Sequence, residues 1–560
     1  MASNNKKAAL MLKRSVHVCM LSGLLAPTVA AQSIPDPAGM LQQRQLDEIG
    51  RQQLKQQEQQ HRQAAPVLDK SALPAEQPMA LTAGGPSILL HKIWFEPASV
   101  LLEDAALAPI LDKFEGRQVY LADLQEVVNR INSLYISAGH YNARALLPPQ
   151  NVDDGEVTVQ LVEGRLGQLT LAANESTRDS FLRSRLGLNP DEVVNLSQLS
   201  KNIEWLNRTS DIQAQAQLKP GEGFGQTDLM VRVSEPPPFS VTTYVDNTGS
   251  ASTGEYRGGI NLTHSSLLGF RDQLMANLSG AEGELGGVVS YSLPVNRWNG
   301  RLGLSYADTE IEIIDGGFDD LSITGRSKTT NLYWAQPLYV GGGLKLDARV
   351  SYGDLESRTL LDDELLQSLD LTDINAGLGL EWIAAQQYFA LHLNHNRLDS
   401  TTDKQRDSEL VSGHLNYLYR FDADWSLALR GVIQHTDAEL LPSARLFQIG
   451  GMASVRGYDE GVLSGNRGYF VNLEGQYRLN DWASLFAFAD AGEAVNFQAE
   501  RGYSASADDR ISSVGLGANF QWQSLSATLA YGEALQGYQN DDLAEDADGR
   551  FHLRVLWRAW

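Results

Sequence analysis

Residues 239–560 repeat one unit, a short strand of alternating character followed by a turn. Phe389-Ala390-Leu391-His392-Leu393-Asn394 is one example. Trp425-Ser426-Leu427-Ala428-Leu429-Arg430, Val471-Asn472-Leu473-Glu474-Gly475-Gln476 and Phe551-His552-Leu553-Arg554-Val555 are others. Successive side chains of a strand point to opposite faces, so a sheet of such strands has one apolar face and one wet face. A soluble sandwich could use that pattern, but the connections argue for a closed membrane barrel, apolar side out. Short connections lie near 294–300, 384–387, 422–424 and 480–481. Long ones lie near 310–326, 354–373, 397–409, 438–467, 493–509 and 535–549. Short turns on one rim and long loops on the other produce this rhythm. About sixteen antiparallel strands fit, at roughly 20 residues per strand and turn, an even number within the barrel range.

Residues 1–31 read as a signal peptide. Lys6, Lys7, Lys13 and Arg14 form a basic front, 16–26 is mostly apolar, and Val29-Ala30-Ala31 offers a cleavage site. The apolar run is too short to span a bilayer and is interrupted by His17. Cys19, the only cysteine, falls inside it and follows Val18 rather than the small residue of a lipoprotein signal. The mature chain then has no thiol, which removes disulfides, thiol catalysis and thiolate metal sites. A net charge of −24 argues against nucleic acid as a partner. No apolar run reaches the roughly 18–20 residues of a membrane helix. The mean hydropathy of −0.26 still suits a barrel, because alternation keeps the mean low.

Ahead of the barrel the chain changes character three times. Region 32–65 carries a helix from Met40 to Ala65, in which Leu41, Leu46, Ile49 and Leu54 are thinly spread among glutamines and charges. A helix polar nearly all round has little to bury against a core. Residues 66–85 form a polar linker punctuated by Pro66, Pro74 and Pro78. Two α+β repeats follow, 86–164 and 165–236, each read as β-α-α-β-β. They close on Val157-Thr158-Val159-Gln160-Leu161 and Leu229-Met230-Val231-Arg232-Val233. Each is long enough for one small core between a three-stranded sheet and two helices. Glu235-Pro236-Pro237-Pro238 is a stiff hinge before the barrel, 237–560.

The loop near 438–467 holds Phe447-Gln448-Ile449-Gly450-Gly451-Met452-Ala453-Ser454-Val455-Arg456-Gly457-Tyr458. Glycine turns let the backbone fold tightly while a planar cation is presented at the tip. Farther on, Phe488-Ala489-Asp490-Ala491-Gly492 reads as strand. A carboxylate facing lipid is costly, so Asp490 is expected in the lumen. An arginine entering the same lumen would be its natural partner, although for either residue alone a solvated loop charge is the commoner outcome.

These motifs together resemble the outer-membrane transporters of two-partner secretion, the haemolysin and adhesin secretion/activation family (TpsB type). The resemblance spans essentially the whole mature chain. Its most specific elements are Val455-Arg456-Gly457-Tyr458 with Gly450-Gly451 ahead of it, and Phe488-x-Asp490-x-Gly492. Asp246-Asn247-x-Gly249, with Thr253-Gly254 and Arg257, looks like the family's first barrel hairpin. Pro149-Gln150, Gly155 and Val162-Glu163-Gly164 look like the end of its first POTRA domain. The resemblance implies a sixteen-strand outer-membrane barrel behind two periplasmic POTRA domains. It also implies a long external loop folded into the lumen, with Arg456 paired to Asp490, and a plug helix in the pore. The implied partners are one large secreted exoprotein (adhesin, haemolysin or contact-dependent toxin), outer-membrane lipid, and the barrel-assembly machinery during biogenesis. Capture would proceed by strand addition to a POTRA sheet edge. A barrel-assembly insertase of the same superfamily is the competing reading; two repeats and a pore-plugging helix favour export.

No cofactor, metal or enzymatic activity is expected. The chain has no G-x-x-x-x-G-K-[ST] loop, and Ser454 lacks a G-x-S-x-G frame. His392 and His395 face opposite sides of a strand. Asp541, Asp542, Glu545, Asp546 and Asp548 read as a solvated acidic loop rather than a Ca²⁺ site. Trp560 supplies a terminal aromatic, but the parity of Phe551, Leu553, Val555 and Trp557 excludes it. Either the strand bulges near Arg558 or the last residue turns away.

Overall fold

The computed structural model describes residues 36–46, 68–69, 84–152, 154–189, 192–315, 322–401, 407–438, 441–495, 510–535 and 549–559. Signal segment 1–31, helix residues 47–65, most of the linker, acidic loop 541–548 and Trp560 lie outside the described residues.

Sixteen antiparallel strands close into a barrel. They run from β10 (Phe239–Asp246) through β20 (Trp425–His435), then from β23 (Arg467–Arg478) to β27 (Arg550–Arg558), which pairs back onto β10. Alternation sorts the side chains as expected. Leu278, Leu304, Leu332, Leu378, Leu485, Leu516 and Leu553 point outward and are exposed, an apolar band that only hydrocarbon would cover. Asn277, Thr309, Ser327, Ser357 and Ser513 point inward and are buried. Trp298, Trp334, Trp382, Trp425, Trp482, Trp522 and Trp557 all lie at or near the rim where β10 enters, a belt of the kind that marks a membrane surface. Pairing of β27 with β10 stays regular through Arg558, and the Ala559 N–H donates to Val241 O. No bulge forms there.

One expected long loop is absent. Residues 354–373 belong to the hairpin of β16 (Leu344–Leu361) and β17 (Glu364–Ile383), closed by Asp362 and Asp363, both at positive φ. The apolar face inverts above the membrane. Asp354, Glu356 and Arg358 point out to solvent, whereas Leu355, Leu369 and Leu371 point in and pack on Leu441 and Ala444 of the long loop. Charges on the expected lipid face therefore disguised strand as loop. The far rim is also not uniformly long, since residues 282–283 alone connect two strands there.

Each α+β repeat has its own core. In the first, the sheet order is β3 (Lys92–Glu96), β6 (Glu156–Glu163), β5 (Ala143–Leu146), backed by helices Asp104–Leu111 and Leu121–Ser137. The one strand that the β-α-α-β-β pattern places at the start of this repeat is split in two. β2 (Ile88–Leu90) leaves the main sheet to pair with an unforeseen β4 (Arg117–Val119). Leu90 and Ile93 both point inward, and a spacing of three breaks strand alternation at His91. The second repeat joins β7 (Arg165–Ala172), β8 (Gln213–Pro220) and β9 (Gln226–Ser234) to helices Asp179–Leu186 and Leu196–Thr209. Its sheet has a fourth member, because β1 (Leu68–Asp69) pairs in parallel with Ala216 and Gln217. The linker is thus a sheet edge at that point; main-chain pairing demands no apolar pattern, so its polar sequence concealed it.

The helix region also begins earlier than expected, with helical residues 37–46. Asp36 caps it by accepting the Gly39 N–H at 3.0 Å, and Pro37 occupies the first turn.

Candidate functional site: the loop tip, the barrel wall and the luminal helix

The connection between β20 and β23 turns back into the barrel. Its short hairpin, β21 (Phe447–Ile449) with β22 (Leu463–Gly465), packs against Phe470, Ala494 and Ile511 of the wall. Between these strands the chain makes a compact tip. Gly450 and Gly451 sit at φ +111° and +92°, where other residues would be strained. The Ser454 hydroxyl bonds across the turn to Gly450, Val455 is fully buried, and the Gly451 N–H donates to Val455 O.

This folding delivers Arg456 to the wall. Its Nε donates to Asp490 Oδ2 at 2.7 Å and its Nη2 to Asp490 Oδ1 at 2.9 Å, a two-pronged pairing. The Arg456 backbone N–H adds a third bond to Asp490, at 3.1 Å. Nη1 donates to Glu474 Oε2 at 2.8 Å, and the guanidinium lies 3.5 Å over the Phe488 ring. Asp490 and Phe488 come from β24 (Ala483–Val495), Glu474 from β23. Gly457, at φ +92°, lies against the wall so closely that a Cβ would meet Gly532 O at 2.8 Å. The Tyr458 hydroxyl donates to Ser512 O at 3.0 Å. Gly492 leaves space beside Phe470 and Ile449. Gly450, Gly451, Val455, Arg456, Gly457, Tyr458, Phe488, Asp490 and Gly492, the loop-tip and wall residues expected from the sequence, therefore lie in one luminal cluster. Sequence reasoning missed Glu474 and His552, whose Nε2 accepts the Gly457 N–H at 3.3 Å. Strand parity held the signal: each is a polar residue on the wet face of its strand.

A second luminal cluster holds helix 37–46. Gln42 donates to Ser327 O at 2.8 Å and accepts from the Ser327 and Thr329 hydroxyls at 2.9 and 2.6 Å. Gln45 donates to Asn277 and Ser279. The Ser357 hydroxyl reaches Asp36 at 2.6 Å, and Arg445 of the long loop reaches Gln43 at 2.7 Å. A helix without an apolar stripe is thus matched by a polar wall, with side-chain bonds in place of a greasy seam.

A third cluster lies at the barrel's closing seam. Asp246 accepts from Arg257 at 3.1 Å and from Arg554 at 3.1 Å. Asn247 bonds the backbone of both Phe551 and Leu553, extending the β10–β27 ladder with a side chain. The first-hairpin motif therefore helps to close the barrel.

A family model described as haemolysin secretion/activation protein ShlB/FhaC/HecB matches residues 225–520, more than half of the chain, and one for the ShlB-type POTRA domain matches residues 88–164. The heme/hemopexin transporter protein HuxB of Haemophilus influenzae is 27% identical over 400 residues, 67% of this chain and 69% of its own. The outer membrane transporter CdiB of Dickeya dadantii is 26% identical over 554 residues, 93% and 95% of the two chains. Among solved structures, CdiB from Escherichia coli superposes with a TM-score of 0.70 at 19% identity, covering 95% of this chain and all of that one. BamA from Haemophilus ducreyi lacking POTRA domains 1–3 reaches 0.52 at 15% identity, over 84% of this chain and all of that one. At such identities these two likenesses speak to fold alone. With the sixteen-strand barrel and its preceding repeats, the family match leads to one conclusion: the chain belongs to the haemolysin secretion/activation family ShlB/FhaC/HecB.

Proposed function

We propose that this chain is the outer-membrane pore of a two-partner secretion pair. Its POTRA repeats capture one large exoprotein, unfolded, in the periplasm, and the barrel passes it to the cell surface without a nucleotide. The observation that carries this reading is a polar lumen occupied by helix 37–46, held through side-chain bonds, and by the Arg456 loop, held by its ion pair and an apolar contact with the wall. Such closures can leave without unfolding the wall. Strand addition during capture is supported by the β8 edge, which already accepts residues of its own chain. Arg456, Val455, Gly457 and Tyr458 hold the loop tip, and Asp490, Phe488 and Gly492 receive it. The exported partner is an adhesin, a haemolysin or a contact-dependent toxin. The test is expression of the product of the neighbouring reading frame, expected to be large and repeat-rich, with and without the chain. The product should reach the medium only when the chain is present. A loss of other barrel proteins from the outer membrane, with export unchanged, would favour the insertase reading.

A further inference from the structure

A cleft of about 850 Å³ opens where the second repeat meets the barrel rim. Helices Asp179–Leu186 and Leu196–Thr209 form one wall, and the turns at 295–300 and 339–342 form the other. The Trp205 indole N–H donates to Trp298 O at 3.0 Å and holds the walls together. Three cations line the cleft, Arg185, Lys201 and Arg297, against one carboxylate, Glu204. In a chain of net charge −24 that local excess is contrary to the whole.

None of the three cations is neutralised by a carboxylate among the described residues. Arg185 is satisfied by neutral acceptors: Asn299 Oδ1 at 2.6 Å, Asn296 O at 3.0 Å and Phe181 O at 3.3 Å. Burial, and then the nearby Arg301, lower its pKa to about 10. Lys201 and Arg297 are exposed, and Arg297 lies 4.5 Å over the Trp298 ring. Trp298 and Tyr339, half exposed at the mouth, belong to the aromatic rim that marks the membrane surface. A positive cleft thus opens at headgroup depth beside apolar side chains.

We infer that this cleft binds the phosphate headgroup of an anionic phospholipid from the membrane leaflet that the tryptophan rim touches. The lipid tails would lie along the outward face beside Trp298 and Tyr339. Lys201 and Arg297 would meet the phosphate, with Arg185 behind them supplying field. A bound lipid would fasten the second repeat to the rim. The inference does not depend on export.

The test is native mass spectrometry of the full chain, purified in detergent and loaded with phosphatidylglycerol, phosphatidylcholine or inorganic phosphate. Near a membrane each cation contributes about fivefold in affinity for an anionic headgroup. Wild type should retain phosphatidylglycerol over phosphatidylcholine. The double variant Lys201→Ala, Arg297→Ala should lose about 25-fold of that preference, two factors of about five. Both residues are exposed, so folding should survive, as heat-modifiable gel mobility would check. The control is Lys113→Ala, Arg117→Ala, which removes the same charge from the exposed surface of the first repeat. Equal losses in the two double variants would overturn the site and leave only general attraction. Displacement of phosphatidylglycerol by millimolar phosphate would overturn the lipid as occupant in favour of a free anion.

Discussion

Arg456 is shared by two carboxylates, and that decides how its neighbours should respond to substitution. Asp490 has no exposed side-chain surface and takes both prongs and the backbone N–H, whereas Glu474 is partly exposed and takes one. Removing one partner of a buried pair costs about 3–5 kcal/mol because it strands the other charge. Arg456→Ala strands Asp490. Asp490→Ala leaves Arg456 with Glu474 and should be somewhat milder. Arg456→Lys should restore little, since an ammonium reproduces neither the fork nor the stacking on Phe488. The Arg456→Ala, Asp490→Ala double variant should be no worse than Arg456→Ala alone, because both remove one interaction. Secretion titre with heat-modifiable mobility reads this series, and additive losses would show that the two residues act separately. A second residue makes a pH prediction. His140, in the first repeat, is buried, and its Nδ1 has no hydrogen-bond partner among the described residues. Burial lowers its pKa, partly opposed by Glu163. Below about pH 6.5 the unfolded chain takes up a proton that the folded repeat resists. Stability contributed by the neutral ring is therefore complete above that pH and declines as pH falls through it. Amide exchange in helix Leu121–Ser137, corrected for intrinsic rates, should rise between pH 7 and 5 in wild type and stay flat in His140→Gln. An unchanged profile in the variant would remove His140 as the cause.

Helix 37–46 makes the clearest prediction at the scale of an element. Its hold on the wall passes largely through Gln42 and Gln45, each making two or more side-chain bonds. At about 0.5–1.5 kcal/mol per neutral bond, Gln42→Ala with Gln45→Ala should weaken the closure by a few kcal/mol. Single-channel conductance in planar bilayers should then show longer and more frequent open periods while the barrel stays intact. Conductance indistinguishable from wild type would mean that something else blocks the pore. The helix also shows what sequence can reveal of an element. Its polarity all round pointed to a wet environment, but the expected start at Met40 overlooks the signal in Asp36-Pro37, a capping residue before a first-turn proline. What it touches was not readable, because glutamine side chains carry no periodic signal for a polar wall. Strand count and lumen parity could be read because burial of apolar and charged groups is strict in a barrel, whereas the Arg456–Asp490 pair was legible through the family resemblance of its two motifs. The hairpin at 354–373 could not, because above the membrane the rule that assigns faces reverses. Residues 68–69 were hidden for a third reason: backbone pairing leaves no side-chain pattern.

At the scale of the whole molecule, several contacts fasten the second repeat to the barrel rim. The proline run after Glu235 suggested a stiff connection, and the structure pins both of its ends. Glu235 accepts from Ser176 N at 2.8 Å, and the Ser265 N–H donates to Pro238 O at 2.7 Å. The main fastening is Arg271, fully buried on the rim turn at 266–272. Its Nε donates to Asp211 Oδ1 at 2.8 Å, its Nη2 also reaches Asp211, and its Nη1 donates to Ser176 Oγ at 3.0 Å. Trp205 and Arg208 add contacts on the far side of the same repeat. Asp211→Ala would leave a buried guanidinium without its carboxylate, at about 3–5 kcal/mol. That cost falls on the joint, because Asp211 lies outside the core that holds the second repeat together. The repeat should stay folded and tethered while its orientation broadens. Spin labels at exposed Glu222 and Ser524 would report this as a wider distance distribution in Asp211→Ala than in wild type. Arg271→Ala with Asp211→Ala should narrow it part of the way back, since the stranded charge is then gone and the remaining contacts persist. If both variants kept the wild-type distribution, the joint would be set by the Trp205 and Arg208 side. The Arg271 pair would then be a packed but dispensable contact.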